Sequence, residues 1–320
     1  VKINYPDSKS DLLTCFIDRS YKQVFPKGYL GFVTMESWMF LSSFEQFRKT
    51  LLNDHQIESL SHFGWHIMRI AFGTCSFILK SHSGKPSIKG TYNYMEFDNI
   101  EKSTERPKIF PVKDNGRYNH VNQDDFSKIP GSPIGYWLSD DMINVFKNRK
   151  ISDSFDSKFG MSVGDGNRFI RTWEEMRLID IEFNATNETT SSKKWFPLDK
   201  GGKSRKWYGN QEFVVEWEDD GELIRNQKNS AVRSPQFFFK RHIGWNLINS
   251  GGSTFRFYPE GFILDTASNC TYIDNYDRLL YVLGFYNSIV SKKLLEILNP
   301  TLNLSCGIIN NLPLVESNLS

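Results

Sequence analysis

The spacing of hydrophobic positions changes between residues 28 and 52. Tyr29 to Val33 form a short apolar run without polar alternation, which predicts a β-strand covered on both faces. From Ser37 onward the apolar residues fall on one helical stripe, which predicts a helix over residues 37–52 with a buried face of Phe40, Leu41, Phe44, Phe47 and Leu51. A strand, a short loop and a helix form the unit of doubly wound α/β domains. Such domains bind ligands at the carboxyl ends of their strands.

The flanking segments continue this alternation of helix and strand. Asp11 to Tyr21 places its apolar residues on one helical side. Residues 57–63 and 73–80 have the composition of strands, and Gly64 can start the bend between them. Residues 1–80 are therefore predicted to form an incomplete parallel-type sheet with flanking helices.

Polar residues dominate the stretch 81–128, in which only residues 91–97 have the pattern of a strand. We place a domain boundary near residue 125, which gives predicted domains at 1–125 and 126–320. A long surface insertion within a single domain is the alternative.

The pattern after residue 128 is mixed and favours an α+β fold. It predicts a short helix capped at Ser139, a strand from Phe213 to Trp217, and several short strands around Gly and Pro turns. The strongest helical pattern of the chain runs from Arg278 to Leu298 and ends at Asn299-Pro300.

Composition narrows the class of protein. Hydrophobic residues make up 39% of the 320 residues and aromatic residues 15%, a share that serves a core first and also suits stacking on bases or sugars. The net charge of +2 gives no global basic field, so that a DNA-binding protein of this composition needs local basic patches. Four distant cysteines without a CxxC pair predict a reduced cytoplasmic setting and no metal site. No apolar run reaches the roughly 18 residues that a membrane span needs.

Two blocks carry a resemblance to a known family: YPDSKSDLLTCFIDRS at residues 5–20 and GYLGFVTMESWMFLSSFEQFRKTLL at residues 28–52. They resemble the post-catalytic half of adenine-specific DNA methyltransferases, and above all the large methylases of BREX phage-exclusion systems within the restriction-modification group. The resemblance implies a partial Rossmann-like methyltransferase sheet, closed by a β-hairpin, and then an α+β target-recognition domain. It also implies S-adenosylmethionine as the cofactor, and as partners double-stranded DNA and further phage-defence or restriction subunits.

Two motifs of that family do not occur in these 320 residues: the Gly-rich cofactor loop and the Asn-Pro-Pro-Tyr catalytic tetrapeptide. In the family both precede the matching blocks. We therefore expect the chain to be a fragment of a longer enzyme without activity of its own, and we assign no catalytic residue. Asp11, Leu12 and Phe16 match the family block that edges the methyl-donor pocket. Because the Gly-rich loop is missing, core packing of Leu12 and Phe16 is favoured over a working cofactor contact, and we expect no tight methyl-donor binding from this chain alone.

Trp65 and Phe72 are candidates for stacking on the target base. Methylases extrude this base because its exocyclic amine cannot be reached inside the duplex, and in the family an aromatic side chain from this hairpin can stack on it. The alternatives are that Phe72 packs in the core and that Trp65 covers the edge of the sheet.

The segment KGGKSRKWYGN at residues 200–210 is the most suggestive basic cluster. Its two glycines let the backbone approach a phosphate, and its charged and flat side chains suit a DNA backbone: Lys203, Arg205, Lys206, Trp207 and Tyr208. It lacks the upstream Gly of a phosphate-binding P-loop. A solvated basic loop is the alternative.

Two further groups of residues are candidates for DNA contact. Lys240 and Arg241 form a second basic cluster. Asn167, Arg168 and Arg171 match a block that starts the recognition domain in the family. For these three residues, contact with the DNA backbone and a structural turn are equally open.

Two hypotheses from different classes follow. The first is a fragment of a site-specific DNA adenine-N6 methyltransferase that supplies target recognition. The second is a non-catalytic, aromatic-rich module that binds proteins or carbohydrates. Binding that weakens steeply with salt favours the first hypothesis, because contacts with phosphates release counterions. Binding that is indifferent to salt favours the second.

Overall fold

The computed structural model describes residues 1–81, 89–104, 106–186, 192–248, 252–299 and 302–315. The chain divides into two compact units, Val1–Asn148 and Arg149–Ser320. Across these described ranges, no helix has both the length and the apolar character that crossing a lipid bilayer requires.

A five-stranded sheet, in the order β1-β3-β2-β4-β7, forms the centre of the first unit as far as its residues are described. The strands of this unit are β1 (Tyr29–Met35), β2 (His55–Phe63), β3 (Thr74–Ser81), β4 (Gly90–Met95), β5 (Ile100–Glu101), β6 (Arg106–Pro107) and β7 (Asn119–Val121). The helices are α1 (Leu12–Tyr21), α2 (Glu45–Asp54) and α3 (Asp140–Val145). The predicted first helix, the predicted β2–β3 hairpin and the helix capped at Ser139 are confirmed.

The prediction of a parallel-type sheet is wrong for most strand pairs. β3 pairs antiparallel with both β1 and β2, because the β2–β3 hairpin reverses the chain, and β4 pairs antiparallel with β7. β2 and β4 are parallel neighbours. Since β1 and β2 both oppose β3, the strands β1, β2 and β4 share one direction and end at the same edge of the sheet.

The prediction that β1 is covered on both faces is also wrong. Exposed and half-buried residues alternate along it, and Tyr29 and Val33 are each 59% exposed. One face of β1 packs on the core through Leu30 and Phe32. The other face presents exposed apolar side chains, and the Lys80 ammonium lies 5.4 Å from the ring centre of Tyr29.

The predicted helix over residues 37–52 is interrupted. Short 3-10 turns span Glu36–Met39 and Ser42–Phe44, and α2 begins only at Glu45. The cause is a buried arginine of α2. Arg48 donates hydrogen bonds to the carbonyl oxygens of Trp38 (2.9 Å) and Leu41 (2.8 Å), which stabilises a non-helical path before α2.

The core of the first unit extends past the predicted boundary at residue 125. Phe126, Ile134 and Tyr136 are buried in one cluster with Trp38 and Phe77. The compact units accordingly divide between Asn148 and Arg149. The assignment of a separate function to each domain stays a prediction.

The second unit contains two four-stranded sheets in its described residues, with strand orders β14-β10-β11-β9 and β13-β12-β15-β8. The strands are β8 (Asp156–Phe159), β9 (Ile170–Thr172), β10 (Trp195–Asp199), β11 (Phe213–Glu216), β12 (His242–Asn246), β13 (Phe255–Tyr258), β14 (Ile263–Leu264) and β15 (Ser268–Tyr272). The helices are α4 (Gly166–Phe169), α5 (Glu218–Arg225), α6 (Tyr276–Tyr286), α7 (Ile289–Leu298) and α8 (Cys306–Asn310). The chain as a whole is therefore a mixed α/β protein with several sheets.

The predicted helix from Arg278 to Leu298 is two helices, α6 and α7. The break follows from two polar side chains between them. The Asn287 side chain binds both the N–H (3.2 Å) and the carbonyl oxygen (2.9 Å) of Phe255 in β13. Ser288 then caps α7 by accepting a hydrogen bond from the Ser291 N–H. Helical periodicity continues across the break, and for this reason the sequence pattern does not reveal it.

Candidate functional site

The carboxyl ends of β1, β2 and β4 form one continuous edge in the first unit. Met35 pairs with Thr74, Thr74 pairs with Phe63, and Phe63 pairs with Met95, so that the three parallel strands end at the same level of the sheet. We call this row and the residues that follow it the carboxyl edge. In α/β proteins, side chains at such an edge face ligands.

The β2–β3 loop places both predicted base-stacking residues at the carboxyl edge. Trp65 is 61% exposed and Phe72 is 39% exposed. The loop is anchored on the sheet, because the Gly64 N–H donates to the Met95 carbonyl oxygen (2.8 Å). Neither aromatic side chain is buried in the core. Stacking on a base stays a prediction for both.

A hydrogen-bonded chain of three side chains also lies at this edge. Glu36 follows β1 directly, and its Oε2 lies 2.5 Å from Nε2 of His62 in β2. The other ring nitrogen of His62, Nδ1, lies 3.1 Å from the hydroxyl of Tyr136. The His62 side chain is 6% exposed and that of Glu36 is 27% exposed, so that the chain runs from the core to the surface.

Arg117 adds a cation beside these groups. Its guanidinium carbon lies 4.5 Å from the ring centre of Tyr94 and 4.9 Å from that of Trp137. Stacking between two aromatic rings fixes the direction of the guanidinium group. Burial raises the pKa of Tyr94, an effect that the charge of Arg117 opposes, and the phenol therefore stays protonated at neutral pH.

Sequence analysis missed Glu36, His62, Tyr94, Arg117 and Tyr136. The first three lie near or directly after the carboxyl ends of β1, β2 and β4, and these three segments are predicted as strands, which is a usable signal. The other two come from segments without a strong periodic pattern. Only the packing of those segments against the sheet brings them to the carboxyl edge.

The predicted methyl-donor residues lie on α1. Asp11 caps this helix by accepting a hydrogen bond from the Leu13 N–H (2.9 Å). Leu12 is 63% exposed and Phe16 is 62% exposed, so that the favoured packing in the core is not found for either residue in this chain. The buried face of α1 contains Thr14, Cys15 and Ile17 instead. Contact with a methyl donor stays a prediction for Asp11, Leu12 and Phe16.

The basic segment 200–210 forms an exposed and well-anchored loop in the second unit. The Trp207 N–H donates to the Phe255 carbonyl oxygen (2.9 Å), and the Phe257 N–H donates back to that of Trp207 (2.9 Å). The Asn210 amide donates to the Lys203 carbonyl oxygen (2.8 Å). These bonds to strand β13 and within the loop fix the backbone, while Trp207 and Tyr208 remain 53% and 64% exposed.

The three cations of this loop are not equally available for a ligand. Lys203 is exposed without an ion pair among the described residues. Arg205 lies 3.6 Å from Glu212 in an exposed pair, which is a weak contact. The Lys206 ammonium donates to the Asn287 carbonyl oxygen (3.2 Å), so that part of its hydrogen-bonding capacity is used within the protein.

The other predicted DNA contacts have local partners. The Arg171 guanidinium donates to the carbonyl oxygens of Asn167 and Ile170, which supports the structural-turn alternative for this side chain. Asn167 and Arg168 are exposed on α4, which Asp165 caps. Contact with DNA stays a prediction for all three.

Lys240 and Arg241 line an open cleft of about 500 Å³ together with acidic side chains, Glu260 and Asp274. Arg241 pairs with Glu260 at 3.2 Å. Because the cleft carries both signs of charge, it is less suited to a phosphate than the basic loop. Its role in DNA contact also stays a prediction.

A buried polar network lies beneath the basic loop. Asp199 in β10 and His242 in β12 are both inaccessible to solvent and lie 3.3 Å apart, and the Ser268 hydroxyl donates to Asp199 (2.7 Å). Asp265 is 6% exposed and accepts a hydrogen bond from the Ala267 N–H (2.7 Å). Burial raises the pKa of Asp265 to about 6 against an ordinary value of 3.8.

Replacing Asp265 with asparagine is expected to stabilise the second unit at pH 8 by about 2 to 3 kcal/mol, since each pKa unit corresponds to about 1.4 kcal/mol. The folded state holds this proton more tightly than the unfolded chain does. Ionisation therefore destabilises the fold above about pH 6, and this penalty vanishes as the pH falls below 3.8. Asparagine keeps the acceptor for Ala267. Denaturant-dependent hydrogen exchange of peptides from residues 149–320 measures the difference.

The exposed Asp274 provides the matched control, because its replacement with asparagine removes a carboxylate that faces solvent. It should change the stability of the second unit little at any pH. Equal stabilities of the wild type and Asp265→Asn at pH 8 would contradict the expectation.

The known proteins to which this chain is similar in sequence are methylases and methyltransferases. Residues 1–67 match the model of a family described as Eco57I restriction-modification methylase. The chain is 32% identical over 98% of its length to the adenine-specific methyltransferase PglX of Lacticaseibacillus casei (strain Zhang), and 31% identical over 99% to the adenine-specific methyltransferase BrxX of Escherichia coli O9:H4 (strain HS). This chain is a homologue of part of the adenine-specific methyltransferases of the BREX and restriction-modification group. It spans 27% and 26% of the length of these two relatives.

A solved structure shows the same fold. The type IIL restriction-modification enzyme MmeI in complex with DNA superimposes with a TM-score of 0.59 at 14% identity, over 97% of this chain and 42% of the MmeI chain. At that identity the likeness concerns the fold alone. The matches to the family model and to PglX and BrxX confirm the resemblance drawn from residues 5–20 and 28–52.

Proposed function

We propose that this chain is the part of a DNA adenine-N6 methyltransferase that completes the methyl-transfer domain and supplies target recognition. The match to two adenine-specific methyltransferases along nearly the whole chain carries the proposal. The exposed aromatic residues at the carboxyl edge support it, because extruding a base into an enzyme needs flat side chains on which that base can stack. The enzyme works on double-stranded DNA in the cytoplasm, with further phage-defence or restriction subunits as partners.

The first unit contributes surfaces rather than a complete reaction centre. Phe72 and Trp65 stack on the extruded adenine. Asp11, Leu12 and Phe16 hold the edge of S-adenosylmethionine, which supplies the methyl group when it is bound; the two exposed apolar side chains of α1 fit this role because they offer a hydrophobic wall beside a carboxylate. The exposed face of β1 suits packing against further protein of the same domain.

The second unit contributes DNA contacts. The loop with Lys203, Arg205 and Lys206 binds phosphates and orients the duplex, while its neighbours Trp207 and Tyr208 pack against sugar or base surfaces. A fixed loop backbone favours binding, because little conformational entropy is lost when the cations engage the duplex. Residues that read base edges are supplied by the same unit.

The test is methyl transfer with and without the remainder of the enzyme. A protein that joins this chain to an upstream segment bearing a Gly-rich loop and an Asn-Pro-Pro-Tyr motif should incorporate labelled methyl groups into duplex DNA at adenine N6. The 320-residue chain alone should incorporate none above background, because both motifs are missing from it.

The two arms of this test contradict different parts of the proposal. Methyl incorporation by the chain alone would show that it holds a complete reaction centre. A joined protein that binds S-adenosylmethionine and DNA but methylates no adenine would reject the assignment to adenine-N6 transfer.

A further inference from the structure

The Glu36 carboxylate connects three parts of the carboxyl edge. It binds His62 of β2, and its own backbone N–H donates to the Gly73 carbonyl oxygen (3.1 Å) at the start of β3. Glu36 itself directly follows β1. One residue therefore ties the end of β1 to both strands of the β2–β3 hairpin.

The carboxylate also occupies the space beside Gly73. A Cβ atom built on Gly73 would overlap the Glu36 carboxyl group, so that a larger residue at this position would displace the carboxylate from its place. The residue immediately before Gly73 is Phe72, which is 39% exposed. The Glu36 carboxylate consequently lies against the backbone one residue after Phe72.

His62 is held as firmly as the carboxylate that it binds. Tyr136 fixes Nδ1, and the rings of Phe40 and Tyr94 pack against the imidazole at centroid distances of 5.9 Å and 5.0 Å. Burying a polar pair of this kind gains little net stability, because desolvation offsets the attraction between the partners. Its geometric effect is to hold the Glu36 carboxylate between His62 and Gly73.

We propose that Glu36 and His62 are positioning residues that hold Phe72 in place for stacking on the extruded adenine. This inference rests on the proposed function. Neither residue touches the base; both act through the hairpin. A displacement of about 1 Å at a reacting group can lower the rate about a hundredfold. Loss of the Glu36 side chain keeps the backbone bond to Gly73 but removes the carboxylate from His62 and from the space beside Gly73, which leaves the segment with Phe72 room for such a shift.

The experiment uses the full-length methyltransferase that contains this chain. Its methylated sites are mapped first, and a duplex is then made with 2-aminopurine in place of the target adenine, because the fluorescence of this base rises when it is extruded. Glu36→Ala should lower kcat, measured on the duplex with the target adenine, about ten- to a hundredfold. It should lower the fluorescence increase of the 2-aminopurine duplex by a similar factor, while the Kd for the duplex stays within about twofold. Glu36→Gln should recover most of both, because an amide fills the same space beside Gly73 and still binds His62.

Glu58 in β2 provides a matched control. Its side chain is 28% exposed against 27% for Glu36, and it pairs with Lys80 at 3.6 Å on the surface. Glu58→Ala should leave kcat, fluorescence and Kd unchanged. Should Glu36→Ala not fold, His62→Phe removes the hydrogen-bonding group from the other side of the same contact and carries the same expectation.

A double-mutant cycle separates positioning from general damage. If Glu36 acts through Phe72, then Phe72→Ala combined with Glu36→Ala lowers kcat no further than Phe72→Ala alone. Effects that multiply in the double variant, or a Glu36→Ala enzyme with wild-type kcat and fluorescence, would overturn the inference. A wild-type enzyme that methylates no DNA rejects the proposed function itself, which is a different result.

Discussion

Replacing Arg48 with methionine is expected to lower the free energy of unfolding of the first unit by about 3 kcal/mol or more. The side chain is 1% exposed and donates to the carbonyl oxygens of Trp38, Leu41 and Gly131. Methionine fills a similar volume but leaves these three carbonyl groups without their donors, and an unsatisfied buried acceptor costs about 1 to 3 kcal/mol. Relief from burying a charge offsets part of that loss. Hydrogen exchange of peptides from residues 1–148 measures the change in the free energy of unfolding.

The neighbouring Lys49 provides the control for Arg48. It lies on the exposed side of α2, where it pairs with Glu45 at 2.6 Å. Lys49→Met should change stability by no more than about 0.5 kcal/mol, since exposed ion pairs contribute little. Arg48→Lys should lower the free energy of unfolding almost as much as Arg48→Met does, because one ammonium group cannot reach three carbonyl groups as the guanidinium fork does. A loss below 1 kcal/mol in Arg48→Met would contradict the account.

This arginine explains why residues 37–52 have the pattern of one helix although the structure interrupts it. The apolar stripe from Phe40 to Leu51 has helical period, and periodicity is a local property of the chain. The break before α2 is stabilised by Arg48 and by Gly131, a residue far away in the sequence. No pattern within residues 37–52 carries that information.

Local patterns succeeded where the deciding interactions are also local. The β2–β3 hairpin, α1 with its Asp11 cap and α3 with its Ser139 cap each depend on residues within one short segment. Strand direction in the sheet is set by which strands become neighbours. The sequence predicts β1, β2 and β3 as strands, but it does not show that β3 lies between β1 and β2. The prediction of a parallel-type sheet is wrong for that reason.

The candidate site likewise contains residues that a local sequence pattern predicts and residues that only the fold brings together. Phe72 and Trp65 were predicted because a family pattern and a hairpin signal fall on them. Glu36 and His62 are 26 residues apart, and they meet only because β3 brings the ends of β1 and β2 to one level. A residue that positions another through such a contact has no signature of its own in the sequence.

Replacing Lys203, Arg205 and Lys206 together with alanine is expected to weaken binding of the full-length enzyme to every duplex alike. Each lost phosphate contact should flatten the plot of log affinity against log salt by about 0.9, for a total change of about two to three units. Lys206 should contribute least, because its ammonium already donates to Asn287. The ratio between the affinity for a duplex that contains the recognised site and the affinity for a duplex without that site should stay unchanged, since phosphate contacts position the protein and base contacts specify the sequence. Titrations at several salt concentrations measure both quantities.

A matched variant tests whether the loop matters or only the net charge. Lys292 and Lys293 are exposed on α7 of the same unit, and replacing both with alanine removes two positive charges elsewhere on its surface. Compared per removed charge, this control should change the salt slope far less than the loop variant does, because counterion release requires contact with phosphates. Equal slopes per removed charge would mean that the duplex responds to the overall charge of the protein. An unchanged slope in the loop variant would identify residues 200–210 as a solvated surface loop.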